Sequence, residues 1–561
     1  MANLRVRVAA GIVSAAVALG VAELLAAFFG ADSAPLNALG ATVVDHTPDG
    51  IREWAISTFG TSDKAVLYAC MAVVAVVVAA IAGAVERTSR AAGSAILAVF
   101  GVVAVFAAVA RTSASGALPT IVGVGVGIYA LRFLTRRIDA AQEEFDSDTR
   151  SGSRRADSES AGGAGAPASS SADGATTTDT SAATSDPAGA SATTADPVGA
   201  SRAAATPERR QVLQGLLVVG GLAVVTGVGG RLFGVRRSDV SGERAAVELP
   251  QPTAPEVPIA PGADLRVPGL TPYLTANSDF YRIDTALIVP QVSKDDWSLR
   301  IHGMVDREIR LTWADLANRP AVERLVTLAC VSNPVGGDLI GNARWLGYRL
   351  DELLAEAGPH PDADMVLSHS TDGWTAGTPL SVLTDGRDAL LAVGMNGEPL
   401  PVVHGYPARL VVPGLFGYVS ATKWVTELEV TRFDRATAYW TRRGWSALGP
   451  VKTGTRIDTP RPRGRIKQGR TVVAGVAWAQ HRGVRTVEVQ IDNGPWQPAR
   501  LAEEHSIDTW RQWTFDWDAA PGPHTLRART TDGTGELQTA ERRDVVPDGA
   551  TGYPSVTFQV N

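Results

Sequence analysis

Four long apolar runs crowd the front of this chain: Val6–Phe29, Ala65–Val85, Ala91–Ala110 and Ala117–Leu134. Each is near the ~20 residues needed to cross a bilayer. A fifth, Val212–Gly230, stands alone further on. Runs of this length and composition match a bilayer as solvent, so a five-span membrane region is expected. The fourth run is the least typical, being rich in glycine and carrying Pro119. A cleavable signal peptide is the rival reading of the first run, although the three spans that follow need no such leader. None of the five runs contains a histidine. Haem held between membrane helices normally needs paired imidazoles, so the region reads as an anchor or a docking surface.

Charge gives the orientation. Arg5, Arg7, Arg87, Arg90, Arg132, Arg136, Arg137, Arg209 and Arg210 share one side if the spans alternate, while the loop Gly30–Lys64 is mainly acidic. The positive-inside rule then puts the N-terminus in the cytoplasm and everything after the fifth span outside it. Arg231, Arg236 and Arg237 run against that assignment. The string RRQVLQGLLVVGG from Arg209 resembles a twin-arginine export signal, a route that moves folded, cofactor-loaded proteins; a plain span with a basic flank is the alternative. The domain plan is a four-span region over 1–139, a disordered linker over 140–208, and a fifth span over 209–235. The linker is rich in Ser, Ala and Thr, holds the near-repeats SDPAGASATT and ADPVGASRAA, and lacks the apolar side chains to build a core.

The remainder reads as two globular domains, 250–445 and 450–561. In the first, Asp284–Val289, Trp297–His302, Arg324–Leu328, Arg409–Val412 and Trp424–Val430 are strand-like, and Thr312–Leu316 and Arg349–Ala357 are helical, with Thr312 as a cap. That mixture is α+β. In the second, VVAGVAW, TVEVQID, RQWTFDW, HTLRART and PSVTFQV are strands separated by turns. They suggest an all-β sandwich of the immunoglobulin-like kind. A formal net charge of -6 over 561 residues gives no sign of nucleic-acid binding.

Only two cysteines occur, Cys70 in an apolar run and Cys330 in the globular part. They make neither a disulfide framework nor a zinc site. A lone globular cysteine is ordinarily a buried filler. Cys330, however, ends a strand, in LVTLACVSNPVGG, directly before a Gly/Pro/Asn loop. A thiolate so placed can bind a soft metal. A second stretch, Gly397–Trp424, brings His404 and Arg409 before an apolar strand, then Ser420 and Lys423 after a glycine-rich turn at Gly414–Gly417. Basic side chains beside free turn amides suit a phosphate; a salt-bridged loop and a solvated lysine are the ordinary alternative.

Six blocks, FYRIDTAL, LVTLAC, GNARWLGYRLDELL, TDGWT, MNGEPLPVVHGYPARLVVPG and KWVTELEV, occur in the order and with similar spacing to those of the sulfite oxidase family's molybdopterin domain. VVAGVAWAQHRGVRTVEVQIDNGPWQPA with TWRQWTFDW resembles that family's C-terminal dimerisation domain. The resemblance covers about Asp264–Val560. It implies a molybdenum-molybdopterin cofactor with Cys330 as thiolate ligand. It also implies that Tyr281, Arg282, His404, Arg409, Ser420 and Lys423 contact the cofactor. Arg282 would face the metal and an anionic oxygen, with Arg344 or Arg442 as lesser candidates for that help. Tyr439, beside Trp440, is the nearest match to the family's active-site tyrosine. Asp284 stands where a histidine-like position is common. The arginines that sulfite oxidases carry shortly after the cysteine are missing from VSNPVGG.

The expectation is therefore a membrane-anchored oxidoreductase performing oxygen-atom transfer outside the cytoplasm, on a small oxyanion or sulfoxide-type substrate. It would work with an external electron partner and as a possible homodimer. A sulfoxide or oxide reductase with the same cofactor is the second reading. A non-catalytic surface scaffold, with an inert cysteine, is the third.

Overall fold

The computed structural model describes residues 2–59, 62–160 and 207–561. The near-repeats of the linker lie outside those residues. The chain divides into two compact units, Met1–Thr47 with Trp54–Gly234, and Pro48–Glu53 with Val235–Asn561.

The helices of the first part are α1 (Ala2–Ala26), α2 (Pro35–His46), α3 (Asp49–Phe59), α4 (Asp63–Val85), α5 (Ala92–Arg111), α6 (Leu118–Ser160) and α7 (Pro207–Ser238). Five of these are long and apolar enough to cross a membrane, at the places the hydropathy indicates. Two expectations change. The acidic Gly30–Lys64 segment is largely helical, and α6 runs past Ala140 to Ser160, into the stretch read as a linker. A helix needs no apolar face to continue from a stable segment, because propagation costs far less than nucleation.

Helix α1 is the centre of the first unit, and glycines let its neighbours close in. A Cβ on Gly11 would lie 2.1 Å from the Ala79 carbonyl oxygen and 2.7 Å from the Gly83 Cα of α4. Such small-residue contacts let helix backbones approach closely. The outward faces carry Val73, Val77, Val99, Phe106, Leu217 and Val225, all exposed. Buried charge gathers at one end. Arg7 pairs with Asp139 and donates to the Glu86 carbonyl (3.0 Å), and the Glu86 carboxylate accepts from the Ser94 amide and hydroxyl. Arg137 donates to the Gln211 carbonyl (3.4 Å). The starts of α1 and α7 and the end of α4 thus meet at the arginine-rich end of the bundle.

The second unit opens with the short helix α8 (Ser241–Ala245) and continues as mixed α and β. Its strands are β1 (Ser298–Gly303), β2 (Ile309–Thr312), β3 (Val322–Ala329), β4 (Ile340–Arg349), β5 (Met365–Ser370), β6 (Thr375–Pro379), β7 (Leu390–Met395), β8 (Glu398–Pro399), β9 (Arg409–Val411) and β10 (Val425–Thr431). They form two sheets, β2-β1-β10-β5-β6 and β3-β4-β7-β8, with β9 paired to β7. Short helices α9 (Trp313–Leu316), α10 (Leu350–Ala357) and α11 (Leu380–Leu383) join them. Thr312 caps α9 in a reciprocal capping box with Asp315. The segment 284–289 is not a strand. Side-chain ion pairs of Asp284, described below, hold it in place of a ladder.

The last nine strands are β11 (Gly454–Thr459), β12 (Arg465–Ile466), β13 (Gly469–Trp478), β14 (Val484–Ile491), β15 (Gln497–Pro498), β16 (Arg500–Leu501), β17 (Arg511–Ala519), β18 (Gly522–Asp532) and β19 (Ser555–Val560). They form sheets β11-β13-β17-β16 and β12-β19-β18-β14-β15 over a shared core that includes Val473, Val487, Trp513, Leu526 and Phe558. The domain is β-rich, as its alternating strands indicate.

The two domains are joined beneath β3. The Thr327 amide donates to the Asp508 carbonyl (3.0 Å), and its carbonyl accepts from Gln480 Nε2 (3.4 Å). Its hydroxyl accepts from the Trp510 amide (2.8 Å) and donates to Asn342 Oδ1 (3.0 Å). The position of β3, three residues before Cys330, is thereby fixed by the β domain.

Gly11→Leu should lower the detergent-solubilised melting temperature by an amount matching overpacking, about 1–3 kcal/mol. Gly125→Leu is the control, since nothing lies within 4 Å of its would-be Cβ. Equal melting temperatures for the two variants would contradict the packing described here.

Candidate active site

Cys330 follows β3 directly. Its amide donates to the Leu339 carbonyl (2.9 Å), and its carbonyl accepts from the Asn333 amide (3.1 Å), so the chain turns at once into the Val331–Gly337 loop. Asn333 Oδ1 accepts from the Leu339 amide (3.0 Å) and closes the loop. Burial raises the thiol pKa, while the Ser332 amide and hydroxyl, hydrogen-bonded to the sulfur, act the other way.

Beside it lies a group of basic side chains. Arg409 is 5% exposed. Its guanidinium donates to backbone carbonyls, His404 at 3.1 Å and Leu410 at 3.3 Å, and stands over the Trp345 ring at 5.0 Å. No carboxylate pairs with it among the described residues. Burial depresses its pKa to about 10. Lys423 pairs with Asp284 (2.7 Å) and stands over Trp424 (4.6 Å). Burial lowers its pKa to about 8, against the pull of Asp284. Arg282 shares the same carboxylate at 2.8 Å. His404 donates from Nε2 to the Asn277 carbonyl (3.1 Å); burial and then Arg409 push its pKa down to about 4, so the imidazole is neutral. Gly405 makes the close approach possible. Its φ is +113°, and a Cβ there would lie 3.0 Å from Arg409 Cβ and 3.1 Å from Lys423 Cβ.

The Tyr281 phenol belongs to this group. Burial and the neighbouring Cys330 sulfur raise its pKa, and Arg409 opposes them. Phe280 stacks on Tyr281 (5.2 Å) and meets Trp345 (5.7 Å) and His404 (5.6 Å) edge-on. Tyr281, Cys330, Arg282, His404, Arg409 and Lys423 thus share one neighbourhood.

Other residues take different roles. Tyr439 has its amide on Thr375 Oγ1 (3.0 Å), its ring against Trp440 (5.2 Å), and Arg443 above it (3.5 Å). The tyrosine coupled to Cys330 is Tyr281. Ser420 Oγ donates to the Phe416 carbonyl (3.0 Å) and supports the backbone. In the Gly414–Gly417 turn the Phe416 amide donates to the Gly449 carbonyl, and just beyond it the amides of Val419, Ser420 and Ala421 donate to backbone carbonyls. Arg344 pairs with Glu323 (2.9 Å), and Arg442 donates to the Thr437 carbonyl (2.7 Å). Trp345, Phe280 and Asn277 went unread in the sequence, because an aromatic floor under a cation looks like ordinary core.

The family described as oxidoreductase molybdopterin binding domain matches residues 286–440. The uncharacterized oxidoreductase YuiH of Bacillus subtilis (strain 168) is 33% identical over 153 residues, covering 27% of this chain and 74% of that protein. Mitochondrial sulfite oxidase of Homo sapiens is 30% identical over 301 residues, covering 45% of this chain and 55% of that protein. The chain belongs to the sulfite oxidase family of molybdenum-dependent oxidoreductases. It spans about half the length of most curated sulfite oxidases it matches. The sulfane dehydrogenase SoxCD of Paracoccus pantotrophus is similar at 24% identity and a TM-score of 0.46, covering 51% of this chain and 81% of that one.

The family's cofactor is molybdenum carried by molybdopterin, and the residues present fit it. Arg282 and Lys423 share one carboxylate, Asp284, and Arg409 pairs with none among the described residues. A phosphate of about −1.5 to −2 charge at neutral pH balances that set. No cluster of three His, Cys, Asp or Glu side chains is placed to hold a metal among the described residues. A metal at Cys330 therefore needs ligands of its own, which a dithiolene provides.

Lys423 is cationic below about pH 8 and loses its proton above it. Inorganic phosphate should therefore bind cofactor-free protein more weakly as pH rises past 8, by calorimetry. Lys423→Arg should abolish that limb. A pH-independent affinity in the wild-type protein would contradict this assignment.

Proposed function

We propose that the chain is a membrane-anchored oxidoreductase that transfers an oxygen atom at molybdenum, with its globular unit on the extracytoplasmic side. The observation that carries the chemistry is a buried thiol at a strand end, beside a sealed guanidinium without a carboxylate partner. The bound cofactor would supply two-electron oxygen-atom exchange. Cys330 would give a thiolate to the metal. Arg409, Lys423 and His404 would hold the pterin and its phosphate, with Tyr281 lining the same pocket. Arg282, half-exposed and aligned by Asp284, would stabilise charge on the transferring oxygen. The neutral imidazole of His404 donates at Nε2 to Asn277 and leaves Nδ1 as an acceptor. Tyr439 stays a candidate at the domain's end, and Ser420 supports the pocket through backbone contacts.

Orientation rests on the arginine-rich end of the bundle, which the positive-inside rule assigns to the cytoplasm. The twin-arginine-like flank is compatible with that. Electrons would pass to an external one-electron carrier, and the C-terminal β domain, read as immunoglobulin-like, is where a homodimer would form. Oxidation of a sulfite-type anion is the first reading. Reduction of an oxide is the second, favoured because Val331–Gly337 carries no basic side chain.

Purified full-length protein should hold near-stoichiometric molybdenum and pterin and reduce or oxidise a redox dye. Cys330→Ser should abolish turnover with the melting temperature little changed. Normal turnover by Cys330→Ser, or protein free of molybdenum when made in cofactor-competent cells, would overturn the proposal.

A further inference from the structure

The end of α7 leads directly into the rim of the cofactor pocket. The apolar stretch Arg210–Gly234 is followed at once by Arg236 and Arg237, both exposed, in the last turn of the helix. These are two of the three arginines that run against the positive-inside assignment. Val240 then enters the same buried cluster as Phe280 and Tyr406, and its amide donates to Gln291 Oε1 (3.3 Å). Glu243 of α8 accepts from the Tyr406 phenol (2.6 Å), the Ser293 hydroxyl (2.6 Å) and the Lys294 amide (2.8 Å). Arg244 donates to the carbonyls of Pro399 (2.6 Å) and Leu400 (2.8 Å). From Ser238 to Glu243 the chain reaches at most about 18 Å even if fully extended. The loop that carries His404 therefore lies close to the point where α7 ends.

Exposed apolar side chains border the path between these two places. Asp284 is held at the pocket by Lys423 (2.7 Å), and Gln291 is held at Val240 (3.3 Å). The segment between them joins no strand ladder. Ile283 stands at its pocket end, 46% exposed, and Ile288 within it, 44% exposed. Val403, 36% exposed, is beside them, because its carbonyl accepts from the same Lys423 (3.3 Å). Arg282, next to Ile283, keeps 38% of its side chain exposed. Single exposed apolar residues need no explanation. Here they lie along a path that ends at two arginines just past an apolar helix. That combination suits a membrane interface, with apolar groups at the acyl boundary and cations among the headgroups.

We infer that this surface, made of Arg236, Arg237, Ile283, Ile288 and Val403, docks on the bilayer where α7 ends and binds anionic phospholipid there. Lipid is the occupant because the surface continues from the end of an apolar helix and its charge there is positive. The arginines that oppose the positive-inside assignment then act as headgroup ligands. The inference rests on α7 crossing the membrane, which belongs to the anchored reading. It adds that the globular unit lies on the bilayer by one defined face and does not swing free on a tether. The rim of the cofactor pocket, with Arg282, is thereby held at the headgroup layer.

The test uses full-length protein carrying Cys70→Ser, since Cys70 is exposed and Cys330 is buried. A nitrobenzoxadiazole label is placed at Ile283→Cys, and the protein is put in nanodiscs of phosphatidylcholine with or without phosphatidylglycerol. Lipid with a doxyl spin near its headgroup reports contact by loss of label emission. The label should lose emission in discs with phosphatidylglycerol, and lose clearly less in phosphatidylcholine alone. Raising salt from about 0.1 M to about 1 M shortens the screening length from about 10 Å to about 3 Å and should restore emission. Arg236→Glu with Arg237→Glu should restore it at low salt. A second label at Val225→Cys, on the exposed face of α7, reports the anchor and should be quenched by mid-chain doxyl lipid in both kinds of disc. A quenched Val225 label with an Ile283 label that is unquenched, or quenched alike in both lipids and in the double variant, overturns the docking inference alone. An unquenched Val225 label overturns the anchored reading and this inference together.

Discussion

A guanidinium sealed from water needs an anion, and Arg409 has only carbonyls and an aromatic face among the described residues. Removing such a charge from solvent costs several kcal/mol. The surrounding fold is organised to hold it in place. Strand β9 carries Arg409 against β7, and an isolated bridge pairs its backbone with Lys423. Gly405 lets the two basic side chains converge, and Trp345, on the neighbouring strand β4, provides the floor. An anionic cofactor is the counter-charge this arrangement lacks.

The Cys330 sulfur is positioned by a different set of interactions. Thr327 spends its amide, carbonyl and hydroxyl on the β domain and on Asn342, so the end of β3 cannot shift without disturbing both domains. Trp510 extends the seam by donating from its indole to the Tyr273 carbonyl (2.9 Å). The β domain is therefore part of the site's rigidity. Precise placement of a metal ligand depends on such supporting contacts.

Legibility varied with the kind of signal. The five spans, β1, β3 and β10, and the Thr312 cap were readable, because each rests on a local period or a local hydrogen bond. Cys330, His404, Arg409 and Lys423 were readable as chemistry-bearing residues in ordered motifs. Their grouping required three dimensions. The family resemblance gave Tyr281 as a cofactor contact and Tyr439 as the nearest active-site tyrosine, and tertiary packing sets Tyr281 beside the sulfur. Asp284–Val289 alternates like a strand but lacks a ladder partner. Helix α6 outran its apolar stretch because cooperative propagation leaves little trace in composition.

All of the proposed chemistry depends on one metal–sulfur bond from Cys330. X-ray absorption at the molybdenum edge measures that bond directly in cofactor-loaded protein. The wild-type protein should show one more sulfur neighbour at molybdenum than Cys330→Ser, both with full pterin content. Identical sulfur counts in the two proteins would contradict the account.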